Sequence, residues 1–322
     1  MSIAILVHGG AGTITHDRTE LAQAGCKEAV LVGWRILQAG GSALDAVEAA
    51  VRSLEDNPNF NAGTGSCLTR EGNIEMDAGL MEGHTAGVGA IAGVELIKNP
   101  ISLARKVFES PHVLLVGQGA QQFAQEQGIS LCKLEDLHTE RQYNNWLNAR
   151  TTENVVEDDE PLYHRREIGS VPARDHHHDV PTEREPEQKH GTVGAVALDS
   201  SGFLAAATST GGILNKYSGR VGDTPLVGCG FYADENAAVS CTGQGEDFVR
   251  LMIAKRAADF VARGASAREA AESTIALLSA RAEGTGGLII VDRLGNVGFS
   301  WNSEHMSRAY MCQDMQEPIA GV

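Results

Sequence analysis

Residues 189–199 read KHGTVGAVALD. Behind them lies a long polar tract, and at Val193 an apolar, strand-like run begins without a turn or cap to introduce it. A buried strand that starts at Gly191-Thr192, directly after a charged tail, is an odd junction. On the dipeptide alone the plain reading is a strand start after a loop. The sharper reading is that the chain is cut between Gly191 and Thr192, so that Thr192 becomes a working N-terminus. A threonine hydroxyl is a poor nucleophile unless a base sits beside it, and an N-terminal threonine carries its own α-amine. That amine titrates near pH 8, closer to neutrality than a lysine. An internal threonine lacks it, so a Gly-Thr cut would be a precondition for activity. Glycine on the other side leaves the scissile carbonyl open and tolerates strained dihedrals.

The tract before the junction, about 152–190, holds four of the nine prolines and five of the eleven histidines. With so few apolar residues it cannot offset its ordering entropy, and it reads as a disordered linker. From 152 to 191 there are 11 acidic against 5 basic side chains. The whole chain of 322 residues has a formal charge of −16, so the folded part is acidic too. Such a charge disfavours nucleic acid as a partner. No run approaches membrane-spanning length, and no basic region followed by an apolar stretch opens the chain. Six cysteines without CxxC spacing speak against a zinc knuckle or a disulfide framework and fit a cytoplasmic setting.

The remaining chain is patterned. SIAILVHGGAG (2–12) reads as a buried strand ending in a glycine turn, followed by helices over 19–39 and 43–56, the second capped by Ser42. Residues 67–94 read as hairpins. A helix near 101–109, a strand at 112–117 and a helix near 118–127 follow. Residues 192–210 form strand, turn, strand, and 285–303 repeat that shape. Between them lie helices at about 246–263 and 266–280. Strands, then helices, then strands predict helices layered on stacked sheets, not an alternating βαβ order. No strand-linked GxGxxG or GxxxxGK[ST] marks a dinucleotide or P-loop site.

GTVGAVALD after a linker resembles the nucleophile boundary of the plant-type asparaginases (isoaspartyl peptidase/L-asparaginase), members of the N-terminal nucleophile (Ntn) hydrolase superfamily. The resemblance covers nearly the whole chain: HGGAG (8–12), ALDAVEAAVRSLEDNPNFNAGTGS (43–66), EMDAGLMEG (75–83), AAATSTGG (205–212), GRVGDTPLVG (219–228) and SCTGQGE (240–246). It implies an α+β, four-layer αββα sandwich made as one folded domain. Self-cleavage between Gly191 and Thr192 would divide it into an alpha subunit (1–191) and a beta subunit (192–322). Dimerisation of cut protomers would give a heterotetramer. The implied activity is hydrolysis of β-aspartyl (isoaspartyl) dipeptides and of L-asparagine.

The resemblance also implies roles. Thr192 is the nucleophile and Thr210 orients it. Arg220 and Asp223 of the GRVGD segment, with Val221 and Gly222 between them, hold the α-carboxylate and α-ammonium of the substrate, which suits a planar fork and a carboxylate. The Thr242 hydroxyl and the Gly243 N–H form an oxyanion hole, a kind of site whose single donors are worth roughly 3–4 kcal/mol. Gln244 and Gly245 add substrate contacts, and Asn61 lies in a loop near the centre. No cofactor is required. A structural sodium ion is implied on the backbone carbonyls of Leu54, Glu55, Asn57, Phe60, Ala62 and Thr64. Without the family, Arg220 and Asp223 would read as a surface pair and the glycines as turns. Two tempting features get bland readings: DHHHD (175–179) as solvated polar residues without a scaffold, and His8 as a structural histidine. The alternatives are a glycosylasparaginase-type amidohydrolase and a non-catalytic α/β binding protein.

Overall fold

The computed structural model describes residues 2–153 and 191–322. The linker read over 152–190 and its DHHHD segment therefore fall outside the described residues, except that residues 152 and 153 end a helix. In chain order the elements are β1 (Ala4–Gly12), α1 (His16–Gln38), α2 (Ala43–Glu55), β2 (Met76–Glu82), β3 (Gly87–Val94), α3 (Pro100–Phe108), β4 (Leu114–Val116), α4 (Gly117–Glu126), α5 (Leu134–Leu137) and α6 (Glu140–Glu153). Past the gap come β5 (Val193–Leu198), β6 (Leu204–Thr210), β7 (Phe231–Ala233), β8 (Ala237–Gly243), α7 (Gly245–Leu251), α8 (Ile253–Ala262), α9 (Ala267–Arg281), β9 (Gly286–Asp292), β10 (Val297–Trp301), β11 (His305–Cys312) and β12 (Ile319–Gly321).

Among the described residues the strands make two sheets, one of eight in the order β12-β11-β1-β5-β6-β2-β3-β4 and one of four in the order β10-β9-β8-β7. The chain is thus of mixed α+β class. Alternation along the strands sends side chains to two sides, as a period of two demands. On β1, Ile5 and Val7 join a core with Trp34 of α1, Val47 and Leu54 of α2 and Ile101 of α3. Ala4 and Leu6, on the other face, join Val196, Leu198, Ile289 and Val291 between the two sheets. Ala237, Val239 and Cys241 on β8 face α8 and α9 instead. Helices thus pack on the strands of both sheets.

Local chemistry explains the boundaries. Ser42 Oγ accepts from the Asp45 N–H at 3.1 Å and starts α2. Ser266 and Glu269 form a reciprocal capping box on α9. Four expectations shift. The glycines after His8 do not end β1 in a turn; the strand runs through them with a bulge against β11 between His8 and Ala11. The single helix expected over 246–263 breaks at Met252, whose φ of 50° and ψ of 53° lie in the left-handed region. The break frees α7 to place Gly245 and Phe248 inward while α8 buries Ile253, Ala254, Ala257 and Ala258. Residues 67–94 hold one hairpin, β2–β3, with only a bridge from Thr69 to Lys216 before it. Helices α5 and α6 occupy a region given no element by pattern, since α6 is too polar to show a stripe.

Phe231, fully buried on β7, packs its ring on Gly79 of β2, where an added side chain would collide with it. This contact knits the two sheets. Phe231→Ala is expected to lower stability by about 3–5 kcal/mol, the usual range for emptying a large buried aromatic site. Denaturant unfolding reads it; a loss under about 1 kcal/mol would show that the sheets are held elsewhere.

Candidate functional site

Strand β5 lies between β1 and β6, and Val193 pairs with Ser209. One step before that pair, Thr192 meets Thr210: the Thr192 hydroxyl donates to Thr210 Oγ1 at 3.2 Å, and both residues are buried. Thr210 Oγ1 also accepts from the Gly212 N–H at 3.0 Å. The two hydroxyls are therefore fixed by a sheet ladder and a turn, not by mobile loops.

Around them a small pocket is lined by Gly191, Thr192, Thr210, Gly212, Ile213, Arg220, Gly222, Asp223, Thr224 and Gly243. The expected Gly191, Thr192, Thr210, Arg220, Gly222, Asp223 and Gly243 thus converge. Val221 does not line the pocket and is 38% exposed. Thr242 stands just behind, its Oγ1 accepting from the Ala11 N–H at 3.1 Å, which leaves its own proton to donate elsewhere. Gln244 turns its amide to Glu246 Oε2 at 3.2 Å, and Gly245 abuts Arg220.

Asn61 touches this centre from below. Its Nδ2 donates to the Gly212 carbonyl at 2.7 Å, and its Oδ1 accepts from the Cys67 N–H at 2.8 Å. Gly191 is wedged between Asn61 and Gly10: side chains added at Gly191 and Gly10 would stand 2.8 Å from Asn61 Cβ and from Gly191 Cα respectively. Glycine is needed at both for that close approach.

Electrostatics sharpen the pocket. Asp223 Oδ2 is buried without a hydrogen-bond partner. Burial pushes the Asp223 carboxyl up to about 7, with Glu246 and Asp77 adding to the rise and Arg220 opposing it. Asp77, whose Cα pairs with that of Thr210, is raised by burial despite Lys216 and Arg220 nearby. Arg220 makes a two-point contact with Glu246, a partner sequence reasoning did not assign although it closes the SCTGQGE motif. Also missed were Gly212, Ile213 and Thr224, which carry no chemical signature. His8, fully buried, places Nε2 2.8 Å from Ser240 Oγ, and burial drives it down to about 3, only partly offset by the Thr192 backbone. It stays neutral and holds structure.

The loop after α2 has its own frame. Side chains added at Gly63 and Gly65, both at positive φ, would strike the carbonyls of Glu55 at 2.5 Å and of Pro58 and Phe60 at 2.6 and 2.7 Å. Main-chain carbonyls thus crowd both glycines. The Glu55 carbonyl also accepts from the Thr64 N–H at 2.8 Å and that of Asn57 from the Phe60 N–H at 3.1 Å. Among the described residues no cluster of three or more His, Cys, Asp or Glu could hold a metal. Nor is any helix there long and apolar enough to cross a membrane.

Two helix-flanked sheets, with paired hydroxyls and a charged pocket at the head of a central strand, define a site of enzymatic type. The family profile described as Asparaginase matches residues 1–320, and the chain belongs to that family. It is 47% identical over 323 residues to a plant-type L-asparaginase of Pyrococcus abyssi, covering 99% of this chain and 100% of the relative. A plant-type L-asparaginase of Thermococcus kodakarensis is 48% identical over 322 residues, covering 99% of each chain. An isoaspartyl peptidase/L-asparaginase of Mus musculus is 43% identical over 309 residues, 95% of this chain and 87% of the relative.

The Glu55 side chain turns away from the loop, accepting from the Ile101 N–H at 2.9 Å, while its other oxygen is buried without a partner. Burial pushes it from 4.5 up to about 8, against the opposing Ile101 N–H bond. Since the folded value stands above the unfolded one, the stability it contributes is complete below about pH 4.5 and is lost as pH rises through 8. Each pH unit in that window costs up to about 1.4 kcal/mol. Glu55→Gln should therefore gain in melting temperature over the unsubstituted protein as pH goes from 5 to 8.5; a constant difference would refute this.

Proposed function

We propose that the chain is an amidohydrolase that hydrolyses β-aspartyl (isoaspartyl) dipeptides and L-asparagine, using Thr192 as an N-terminal nucleophile freed by self-cleavage after Gly191. The observation that carries this reading is the single pocket in which Gly191, Thr192, Thr210, Arg220, Asp223 and Gly243 meet. The names of the relatives favour the same two substrates.

In this reading the Thr192 hydroxyl first attacks the Gly191 carbonyl, and the resulting ester is hydrolysed to leave a free α-amine on Thr192. That amine then takes the hydroxyl proton as Oγ1 attacks the side-chain carbonyl carbon of the substrate. Thr210 Oγ1 keeps the hydroxyl in line. The oxyanion is met by the Thr242 hydroxyl and the Gly243 N–H. As the C–N bond breaks, the ammonium proton passes to the departing amine, leaving a β-aspartyl ester on Thr192 that water hydrolyses. Arg220 anchors the substrate α-carboxylate and Asp223 its α-ammonium. Val221, Gly222, Gln244 and Gly245 frame that head group.

The parts would be an alpha subunit, 1–191, and a beta subunit, 192–322, in one four-layer αββα domain. Strand β1 lies between β11 and β5, so the cut pieces would stay interleaved in one sheet. A dimer of such protomers in the cytoplasm completes the proposal; the six cysteines are unpaired. A sodium ion would be held by the carbonyls of Leu54, Glu55, Asn57, Phe60, Ala62 and Thr64, where it would brace the loop and take no part in the chemistry.

Thr192→Ala is expected to fold but remain one uncut, inactive chain, because both steps need the hydroxyl. Denaturing electrophoresis beside an ammonia-release assay reads this; a normal fragment pair from that variant would sink the assignment.

The raised Asp223 carboxyl gives a pH signature. An ammonium is held by the carboxylate, which forms as pH climbs through about 7. KM for L-asparagine should fall from pH 6 to pH 8, by up to about tenfold per unit below the titration point, and Asp223→Asn should raise KM and remove the slope. A flat KM across that range in the unsubstituted enzyme contradicts the anchor role.

A further inference from the structure

Glu246 stands one residue beyond Gly245, at the start of α7. Its carboxylate accepts from Arg220 Nε at 3.0 Å through Oε1 and from Arg220 Nη2 at 2.8 Å through Oε2. Two parallel charge-assisted bonds of this kind fix a guanidinium in direction as well as place. The pair is sheltered, with the two side chains 12% and 28% exposed, so water screens it less than a surface ion pair. Gln244 Nε2 adds a bond to Oε2 at 3.2 Å and steadies the carboxylate.

The fork of Arg220 is therefore engaged along one edge before any ligand arrives. Its Nη1 group lies against Gly222, where an added side chain would stand 2.9 Å away, and Nη2 lies as close to Gly245. Gly222 and Asp223 line the pocket. An arriving carboxylate must approach by the Nη1 side. It also meets an arginine whose charge is already balanced by one carboxylate, beside the buried acids Asp223 and Asp77. A bare carboxylate gains little in that field. One that carries an ammonium on the adjacent carbon also satisfies Asp223 Oδ2, which is buried without a partner.

We propose that Glu246 is a specificity-determining residue. By occupying one edge of Arg220 and cancelling its charge, it makes the pocket accept an α-amino acid head group and refuse a carboxylate that lacks the amine. This rests on the amidohydrolase reading above. It is separate from the anchoring roles of Arg220 and Asp223, because Glu246 acts on the substrate only through Arg220.

The test compares L-asparagine with succinamate, the same amide without the α-amino group, as the ratio of their kcat/KM values. Glu246→Gln keeps the shape and removes the charge. It is expected to lower the ratio of asparagine to succinamate at least tenfold, chiefly through a lower KM for succinamate. Glu246→Ala carries the same expectation and serves where the glutamine variant does not fold, as judged by melting and by fragment formation. Glu246→Asp keeps the charge but is too short for the two-point contact; both kcat/KM values should fall together with their ratio within about threefold of the starting enzyme. A ratio unmoved in the neutral variants, or moved as far in Glu246→Asp, overturns the assignment and leaves Glu246 a structural brace. If the unsubstituted protein turns over neither L-asparagine nor a β-aspartyl dipeptide, the amidohydrolase reading itself has failed. Turnover with an unmoved ratio removes the Glu246 role alone.

Discussion

The backbone ladder of β5 sets the position of everything else in the site. Val193–Leu198 is bonded to β1 on one side and β6 on the other, in the middle of an eight-stranded sheet. Residues at the head of such a strand are constrained by the register on both sides. Thr192 inherits this rigidity and so does Thr210 across the ladder. A site built on strands is more exact than one built on loops, and reaction geometry is sensitive at the ångström scale. The same ladder explains the crowding of glycine around the junction. Backbone from the second half of the chain must pass within contact distance of Gly10 and Asn61 to enter the sheet.

The charged groups beside that ladder are costly ones. Buried ion pairs seldom add stability over apolar packing. Yet Asp77, Lys216, Asp223 and Arg220 cluster where an all-apolar core would have been the more stable choice. The loop that carries Lys216, Arg220 and Asp223 is bonded closely. Lys216 Nζ donates to the Glu75 carbonyl at 2.7 Å, the Gly219 N–H to Glu75 Oε2 at 2.7 Å, and Thr208 Oγ1 to the Thr224 carbonyl at 2.9 Å. Such bonds spend stability on holding charge in one arrangement, which is sensible only where a ligand of defined charge is to be received.

Much of this was legible in the sequence. Helix α2 shows its capping serine and apolar stripe, and the paired strands β5–β6 and β9–β10 show their apolar runs and the Asp-x-x-Gly turns between them. The residues that line the pocket stood out only through the resemblance of ordered motifs; taken alone, Arg220 and Asp223 read as a surface pair and the glycines as turns. Three things were not. The break at Met252 comes from a backbone conformation that methionine does not advertise. Helix α6 is held by tertiary contacts such as the Trp146 N–H on the Thr69 carbonyl at 2.8 Å, against a polar composition. The raised carboxyls of Glu55 and Asp223 depend on burial, which no local pattern encodes. Glu246 was visible in its motif, but its meaning lies in which edge of Arg220 it meets, a fact of three dimensions only.

Asn61 joins these levels. Its main-chain carbonyl accepts from the Gly211 N–H at 2.9 Å and its side chain holds the Gly212 carbonyl, so the loop of 54–65 is bonded twice to the two residues that follow Thr210. Gly212 in turn donates to Thr210 Oγ1, the group that receives the Thr192 hydroxyl. A continuous chain of hydrogen bonds thus runs from that loop to the paired hydroxyls. Whatever rigidifies the loop also narrows the positions open to Thr210. Glycine at 63 and 65 therefore bears on the paired hydroxyls from a distance: with any other residue the loop could not close over its own carbonyls, and Asn61 would lose the platform from which it holds Gly212.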